Sequence, residues 1–126
     1  MLNHPIPQLS VPRVSSATAI VFSLIVVNLI FNVLANASFR VSALSSSWRG
    51  LLGWQVVGNL AGLATVITLT WLLRYMSLSI AFPLTTGLAV LGVQLVAASW
   101  IFREPISARQ WLGTLALVVG IWLIQR

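Results

Sequence analysis

Four long runs of apolar residues constrain this chain more than any other feature of its sequence. They lie at about residues 16–39, 50–73, 77–102 and 108–124. Each run is near or above the roughly 20 residues that a helix needs to cross about 30 Å of hydrocarbon, and the fourth is the shortest. The runs predict an all-α integral membrane protein, a four-transmembrane-helix bundle over residues 16–126, with residues 1–15 as an extended N-terminal tail.

The composition favours the same fold class. Of the 126 residues 59% are hydrophobic and 6% are charged, whereas a soluble domain carries roughly 25% charged residues. The net charge of +6 comes from seven arginines against one acidic residue. These arginines are scattered singly near predicted helix ends, which is typical of anchoring to membrane lipid and argues against nucleic-acid binding.

The predicted topology distributes the arginines almost evenly. Four spans place both termini on one side of the membrane, and the arginines then divide into two groups: Arg13, Arg74 and Arg126 on that side, and Arg40, Arg49, Arg103 and Arg109 on the other. Three arginines against four give almost no positive-inside bias, so the sequence predicts no orientation.

Glycine, proline and capping residues predict local structure. Gly58 and Gly62 form a GxxxG step that allows close helix packing, either within the chain or at a dimer seam. Pro83 lies inside the third run, where it is expected to kink the helix or act as a hinge. Ser107 followed by Gln110 predicts a capping box at the start of the fourth helix.

The turn before that helix holds Glu104 and Pro105. Glu104 is the chain's only acidic residue, and we expect it to pair with Arg103 or Arg109.

A ladder of amides runs down the first predicted span. Asn28, Asn32 and Asn36 are spaced four residues apart, and Arg40 continues the track. Residues four apart are displaced by about 40° around a helix, so the three amides span roughly 80° of one face. Facing lipid, each would lose its water contacts at a cost of about 1–3 kcal/mol or more, so the ladder is expected to face protein or water.

Two interpretations of the ladder compete. The amides can form interhelical hydrogen bonds as structural glue, each contributing about 0.6 kcal/mol. Alternatively, they line a hydrated groove for a polar group, with Arg40 attracting an anion. Polar residues on other predicted helices can complete such a groove: Gln94, Thr85 and Thr86 on the third, and Asn59, Thr65 and Thr68 on the second.

The sequence contains no set of residues typical of catalysis. There is no Ser/His/carboxylate set, no paired acids, no phosphate-binding glycine loop and no cysteine, so we predict no enzyme activity, no metal site and no cofactor. No Asp, Glu, Lys or His lies within a predicted span, which argues against a proton-coupled pump.

Two stretches carry a family resemblance. SIAFPL (79–84) and REPISARQWLG (103–113) resemble the small four-helix members of the drug/metabolite transporter superfamily. Within it they are most similar to the subunits that flip aminoarabinose-phosphoundecaprenol across the bacterial inner membrane. The positions that match this group include an Ala-aromatic-Pro step, a Glu-Pro pair and an Arg- and Trp-containing helix start: Ala81, Phe82, Pro83, Glu104, Pro105, Arg109, Trp111 and Gly113.

The sequence differs from one branch of this superfamily at a position in the first helix. The related multidrug antiporters of this superfamily carry a Glu in the middle of the first helix, and alignment on Arg40 places Asn32 at that position. An amide neither carries a proton nor binds a cation by charge. This difference favours the lipid-carrier branch, or a related EamA-type transporter, over a multidrug antiporter.

The sequence thus predicts a small transporter subunit of the bacterial inner membrane that works as a homodimer or as a heterodimer with a similar four-helix subunit. Its expected cargo is a polyprenyl-phosphate-linked sugar or similar anionic lipid, moved without ATP hydrolysis. Arg40, Arg103 and Arg109 are expected at the phosphate, and Asn28, Asn32, Asn36 and Gln94 along the path. The alternatives are a non-transporting scaffold subunit of a larger membrane complex and an EamA-type exporter of a metabolite or drug.

Overall fold

The computed structural model describes residues 14–126, with side chains from residue 16 onward, and over this range its regular structure is entirely helical. Helix α1 spans Val14–Leu44, α2 spans Trp48–Leu72, α3 spans Leu78–Gly92 and α4 spans Ala108–Ile124. A π-helical segment, Val93–Ile101, continues α3 without a break. The predicted fold class, an all-α membrane helix bundle, is confirmed.

Three helical stretches are long and apolar enough to cross a membrane: Ser16–Leu44, Trp48–Leu72 and Leu78–Ile101. A helix satisfies its own backbone hydrogen bonds, which is what the interior of a bilayer requires. The fourth helix has 17 residues and is therefore roughly 25 Å long, at the lower end of the length of known spans.

Helix α1 ends at Leu44, later than its predicted end near residue 39. Serine side chains close its last turns, since the Ser45 hydroxyl donates to the Val41 carbonyl oxygen and the Ser42 hydroxyl donates to Leu51 in α2. Arg40 is therefore inside the helix rather than at its end. Residues 1–13 of the predicted tail lie outside the described residues, and Val14 is the first residue of α1.

Side-chain caps fix the starts of two helices. The Ser47 hydroxyl oxygen accepts a hydrogen bond from the Gly50 N–H at 3.1 Å at the start of α2. At the start of α4 the Ser107 hydroxyl oxygen accepts from the Gln110 N–H, and Gln110 Oε1 accepts from the Ser107 N–H. The predicted capping box is confirmed.

The interface between α1 and α2 is built from small residues. Ala35, Ser38 and Ser42 of α1 are buried there, as are Gly58 and Ala61 of α2. We call these five residues the small-residue seam. Small side chains let two helix backbones approach closely, which is how helices associate in lipid without a hydrophobic driving force.

The two glycines of the GxxxG step have different surroundings. A Cβ on Gly58 would collide with the ring of Phe39, whereas a Cβ on Gly62 would meet nothing within 4 Å. Gly58 therefore packs within the chain. The dimer seam that the step also suggested stays a prediction.

Glycines also mark the other helix contacts. A Cβ on Gly92 would lie 2.6 Å from Leu29 Cδ1 of α1, and one on Gly87 would collide with Ile121 of α4. Within the described residues α4 packs on α3 and not on α1 or α2. We call the unpacked boundary between α1 and α4 the lateral gap. Pro83 lies inside α3, and its role as a hinge stays a prediction.

Arginine and tryptophan pair at the ends of two helices. The Arg74 guanidinium carbon lies 5.4 Å from the centre of the Trp71 ring, and that of Arg126 lies 4.4 Å from the centre of the Trp122 ring. Indole and guanidinium groups both favour the headgroup zone. These pairs lie at the C-terminal ends of α2 and α4.

We expect Gly58→Val to lower the free energy of unfolding by about 1–3 kcal/mol, because the new side chain must displace the Phe39 ring. Gly62→Val is the matched control, since the same change in helix propensity meets open space. Thermal unfolding of both purified variants in detergent measures the difference. Equal unfolding temperatures would contradict close packing at Gly58.

Candidate binding cavity

A cavity of about 830 Å³ lies among the four helices. Its volume is in the range of sites that hold small molecules or headgroups. Apolar side chains form much of the wall, but every helix adds polar groups to it. The polar lining consists of Asn28, Asn32, Asn36, Thr65, Thr85, Thr86, Gln94, Glu104, Gln110 and Thr114.

The amide ladder turns from the protein interior into this cavity. Asn28 is only 3% exposed, Asn32 is half-buried and Asn36 is exposed. Each step of four residues rotates the side chain by about 40°. The ladder therefore starts at the contact of α1 with α2 and ends, after about 12 Å of rise, on the open side of the helix.

Asn28 acts as glue between two helices. Its Nδ2 donates to the carbonyl oxygen of Thr65 and to the hydroxyl oxygen of Thr68, both at 2.9 Å. Its Oδ1 accepts from Asn32 Nδ2 at 2.9 Å. Both ends of this buried amide are thus satisfied, and the interhelical interpretation of the ladder holds at this position.

The other two amides make no hydrogen bond to a neighbouring helix. Asn32 Nδ2 donates to the carbonyl oxygen and to Oδ1 of Asn28, and Asn36 Nδ2 donates to the carbonyl oxygen of Asn32 at 2.8 Å. Their side-chain oxygens accept no hydrogen bond from residues 14–126 and remain available to solvent or a ligand. The groove interpretation therefore fits Asn32 and Asn36.

Gln94 lies in the π-helical segment and faces the ladder from the third helix. The Thr114 hydroxyl oxygen lies 2.6 Å from Gln94 Oε1 and 2.9 Å from the carbonyl oxygen of Gln110, and its single hydrogen is shared between these two acceptors. Gln94 Nε2 is buried without a partner among the described residues. A buried donor left unsatisfied costs about 1–3 kcal/mol, so it favours an acceptor in the cavity.

Three of the four predicted threonines line the cavity, and the fourth does not. Thr65, Thr85 and Thr86 line the cavity as predicted. Thr68 does not line it and bonds Asn28 instead. The prediction for Asn59 is wrong, because this residue is exposed outside the cavity and donates to Gln55 of its own helix.

An ion pair joins α1 to the turn before α4. Arg40 Nε lies 2.8 Å from Glu104 Oε1, and the two side chains are 48% and 41% exposed. The predicted pairing of Glu104 with Arg103 or Arg109 is wrong. Arg40 of α1 reaches across to this turn, and within the described residues Glu104 pairs with it rather than with an arginine near it in sequence. A pair this exposed contributes about 0–1 kcal/mol.

The turn itself adopts an unusual backbone conformation. Arg103 has φ = 50°, in the left-handed region where glycine is usual. The Phe102 N–H donates to Ala97 and the Glu104 N–H donates to Ala98 at 2.8 Å, which closes the π-helical segment. A non-glycine residue there costs roughly 1–2 kcal/mol. This conformation directs Glu104 and Pro105 toward the cavity.

Sequence reasoning missed Thr114, Gln110 as a cavity residue and the Arg40–Glu104 pair. Thr114 follows Gln110 by one helical turn, so the two side chains lie on the same face of α4. The capping residue Gln110 could therefore have indicated that this face is polar. The pair was accessible from topology alone, because the predicted spans place Arg40 and Glu104 on the same side of the membrane. None of the three predicted headgroup residues, Arg40, Arg103 and Arg109, lines the cavity, and their headgroup role stays a prediction.

Comparison with curated proteins shows a similarity over part of the chain. Over 78 residues the chain is 42% identical to the probable 4-amino-4-deoxy-L-arabinose-phosphoundecaprenol flippase subunit ArnE of Serratia proteamaculans (strain 568). The match covers 60% of this chain and 65% of the relative, slightly less than two thirds of its length. No family model matches the chain, and no solved structure matches it.

The chain is thus similar to a flippase subunit over most of its length. The wider assignment to the drug/metabolite transporter superfamily stays a prediction, since no family model supports it.

We expect Asn28→Leu to lower the free energy of unfolding by about 0.6–2 kcal/mol, because it removes two hydrogen bonds from α1 to α2. Asn36→Leu, the same change on the open side of α1, should have almost no effect on stability. Denaturant titration in detergent compares the two. Equal losses would show that the interhelical hydrogen bonds of Asn28 add no more to the free energy of unfolding than the local hydrogen bond of Asn36.

We expect Arg103→Gly to keep or raise stability by up to about 1 kcal/mol, because glycine adopts φ > 0 without strain. Arg103→Val should lower it, since a β-branched residue is an outlier at that φ. Both variants remove the same charge, so unfolding temperatures isolate the backbone effect. Identical temperatures would contradict the strained turn.

Proposed function

We propose that this chain is a subunit of a membrane flippase that moves a polyprenyl-phosphate-linked sugar, or a similar anionic lipid, across the bacterial inner membrane. The observation that carries the proposal is the cavity, in which unpaired amide oxygens and the Gln94 amide lie inside an otherwise apolar helix bundle. The similarity to a flippase subunit supports it.

The proposed role of the ladder is to replace water around the headgroup. A polar headgroup in hydrocarbon loses its hydrogen bonds at a cost of several kcal/mol. Asn32, Asn36 and Gln94 offer both donors and acceptors, so sugar hydroxyls and phosphate oxygens can find partners in the cavity. Neutral amides suit transient binding, because they do not hold an anion as firmly as buried cations would.

The lateral gap between α1 and α4 gives the lipid tail a place. Both helices line the cavity, yet within the described residues they do not pack on each other. A headgroup can enter while its polyprenyl chain stays among the acyl chains. The apolar cavity residues Phe82, Val90 and Leu117 would then contact the first isoprene units.

The proposed path is closed at Asn28, which is bonded to Thr65 and Thr68 where α1 contacts α2. A second, mostly apolar cavity of about 570 Å³ is lined by Ser23, Trp71 and Tyr75 among others. Passage of a headgroup to the opposite face would require α1 and α2 to separate at Asn28. These hydrogen bonds would therefore close the path between cycles.

The proposed movement is passive. Glu104 is the only carboxylate in the chain, and it lies at the mouth of the cavity rather than along the ladder. No group on the ladder can carry a proton, so direction would come from the lipid gradient or from a partner subunit. Neither ATP hydrolysis nor a catalytic residue enters this scheme.

A second subunit is part of the proposal. Helix α4 packs only on α3 within the described residues, and a Cβ on Gly113 or Gly120 would meet nothing within 4 Å. A second copy, or a similar four-helix subunit, would cover this side and complete the path. The relative's name, a flippase subunit, accords with such an assembly.

A scaffold subunit is the second candidate, and the bonding of Asn28 favours it. That amide is fully engaged in holding α1 to α2, as structural glue would be. An EamA-type exporter of a small metabolite would use the same cavity without a lipid tail. Copurified polyprenyl phosphate lipid distinguishes the flippase from both.

We expect Asn32→Leu to leave assembly unchanged and to reduce lipid translocation at least about tenfold, because the headgroup loses hydrogen-bond partners in the middle of the ladder. Its free energy of unfolding should fall by about 1–3 kcal/mol, because buried Asn28 Oδ1 loses its donor. Asn59→Leu is the matched control, an exposed amide outside the cavity. Translocation is measured in liposomes with the partner subunit present. Retained transport would favour the scaffold.

A further inference from the structure

The second cavity, of about 570 Å³, lies between the N-terminal half of α1 and the end of α2. We call it the apolar groove, and its lining residues are Ala19, Ile20, Ser23, Leu24, Val27, Trp71 and Tyr75. None of these residues lines the cavity in which the cargo is proposed to bind. The two spaces therefore have different walls, and the groove needs an explanation of its own.

The two sides of the groove come from helices that run antiparallel. Ser42, late in α1, donates a hydrogen bond to Leu51, early in α2. Asn28, earlier in α1, donates to Thr68, late in α2. Tyr75, just beyond the end of α2, is therefore level with the first turns of α1. This level is the membrane-surface end of the groove, which we call its rim.

Below the rim, the α1 wall of the groove is apolar. Ser23 is the only polar residue among the α1 residues that line it, and the Ser23 hydroxyl donates to the Ala19 carbonyl oxygen at 2.8 Å. From Ala19 to Val27 the helix rises about 12 Å, which is close to the roughly 15 Å of hydrocarbon in one leaflet. The groove thus offers an apolar wall along most of the length of an acyl chain.

The polar groups of the groove lie at its rim. Tyr75 lines the groove there, and its phenol makes no hydrogen bond with another described residue. The Arg74 guanidinium carbon lies 5.4 Å from the centre of the Trp71 ring, and Trp71 lines the groove. Within the described residues Arg74 forms no ion pair. The rim therefore combines an unpaired cation with a phenol and an indole, the aromatic groups typical of a membrane interface.

The backbone of the turn after α2 holds these side chains in place. The Arg74 N–H donates to the Trp71 carbonyl oxygen at 3.1 Å. The Tyr75 N–H donates to the Leu72 carbonyl oxygen at 2.9 Å, and Leu72 is fully buried. Because the turn is already ordered, little conformational entropy is lost when its side chains bind a ligand.

We propose that the apolar groove binds one anionic phospholipid of the surrounding leaflet. An acyl chain lies along α1 in the groove, and the lipid phosphate accepts hydrogen bonds from the Arg74 guanidinium and the Tyr75 hydroxyl. This lipid is distinct from the cargo, and the inference does not depend on the proposed function. Basic groups at pockets between transmembrane helices are a recurrent means of binding anionic headgroups.

The distribution of charge favours an anionic over a zwitterionic headgroup. The only acidic residue of the chain is Glu104, and it pairs with Arg40. Arg40 lies about 25 Å further along α1 than Ser23, at the opposite end of the bundle. No carboxylate side chain is therefore near the rim to bind a choline or ethanolamine cation, whereas a net negative headgroup meets the charge of Arg74.

The test compares palmitoyl-oleoyl phosphatidylglycerol with phosphatidylcholine of the same acyl chains, two lipids that differ in the net charge of the headgroup. Native mass spectrometry of the full-length protein in detergent measures the affinity and the number of lipids bound per chain. We expect one phosphatidylglycerol per chain, bound about fivefold more tightly than phosphatidylcholine, as one basic group at an anionic headgroup provides. Phosphatidylglycerol should also give the larger rise in unfolding temperature.

Two arginine variants test the rim. Arg74→Gln should remove the preference by weakening phosphatidylglycerol about fivefold, with phosphatidylcholine unchanged. Arg126→Gln is the matched control, because Arg126 also lies over an indole ring, that of Trp122, and neither residue lines the groove. This control should keep the preference.

Two phenylalanine variants test the wall of the groove. Ser23→Phe should weaken both lipids about fivefold or more, because its ring takes the space of the acyl chain. Val26→Phe adds the same ring to α1 outside the groove and should leave both affinities unchanged. Unfolding temperatures of the lipid-free variants are recorded in parallel, so that loss of the fold is recognised separately.

Several results would overturn the inference. Equal affinity of the wild type for both lipids would do so, as would unchanged binding in Ser23→Phe. Equal loss of preference in Arg74→Gln and Arg126→Gln would indicate a diffuse attraction to the basic end of the bundle. Displacement of phosphatidylglycerol by equimolar phosphoundecaprenol would assign the groove to a polyprenyl lipid, and lipid bound to monomers but absent from dimers would assign it to a second copy of the chain.

Discussion

The hydrogen bonds from Asn28 to Thr65 and Thr68 are the interaction on which the rest of the structure depends. In hydrocarbon a polar side chain must find its partners within the protein. Asn28 finds them on α2, just beyond the small-residue seam that brings the two backbones together. This contact fixes the rotation of α1 about its axis, and the rotation determines that Asn32 and Asn36 face the cavity.

The spacing of polar and small residues along α1 therefore both packs the helix on α2 and lines the cavity. The buried positions of the seam follow spacings of three and four residues, so they stay on one side of α1, whereas the ladder repeats every four residues and turns away from that side. The competing interpretations of the ladder, glue and groove, are both realised at different depths of one helix. The graded exposure from Asn28 to Asn36 is the geometric result.

The features that could be predicted from the sequence are those set by neighbouring residues. Long apolar runs predicted the helices, and Ser107 with Gln110 predicted the capping box. The predicted spans already place Arg40 and Glu104 on the same side of the membrane, but the choice of Arg40 over Arg103 and Arg109 depends on the left-handed turn at Arg103, and no glycine marks that turn. The serines after Phe39 could equally have belonged to a loop. The unpaired Nε2 of Gln94 depends on which side of the π-helical segment faces α4. The spacing of apolar residues in the sequence does not predict that side.

The short length of α4 has a consequence for the bilayer itself. A span of roughly 25 Å is shorter than the surrounding hydrocarbon, and lipids next to a short span compress locally to match it. That compression would fall beside the gap through which a tail would pass. The headgroup planes of the two leaflets would approach each other at this point, so the distance of transit would be smallest where the protein is open.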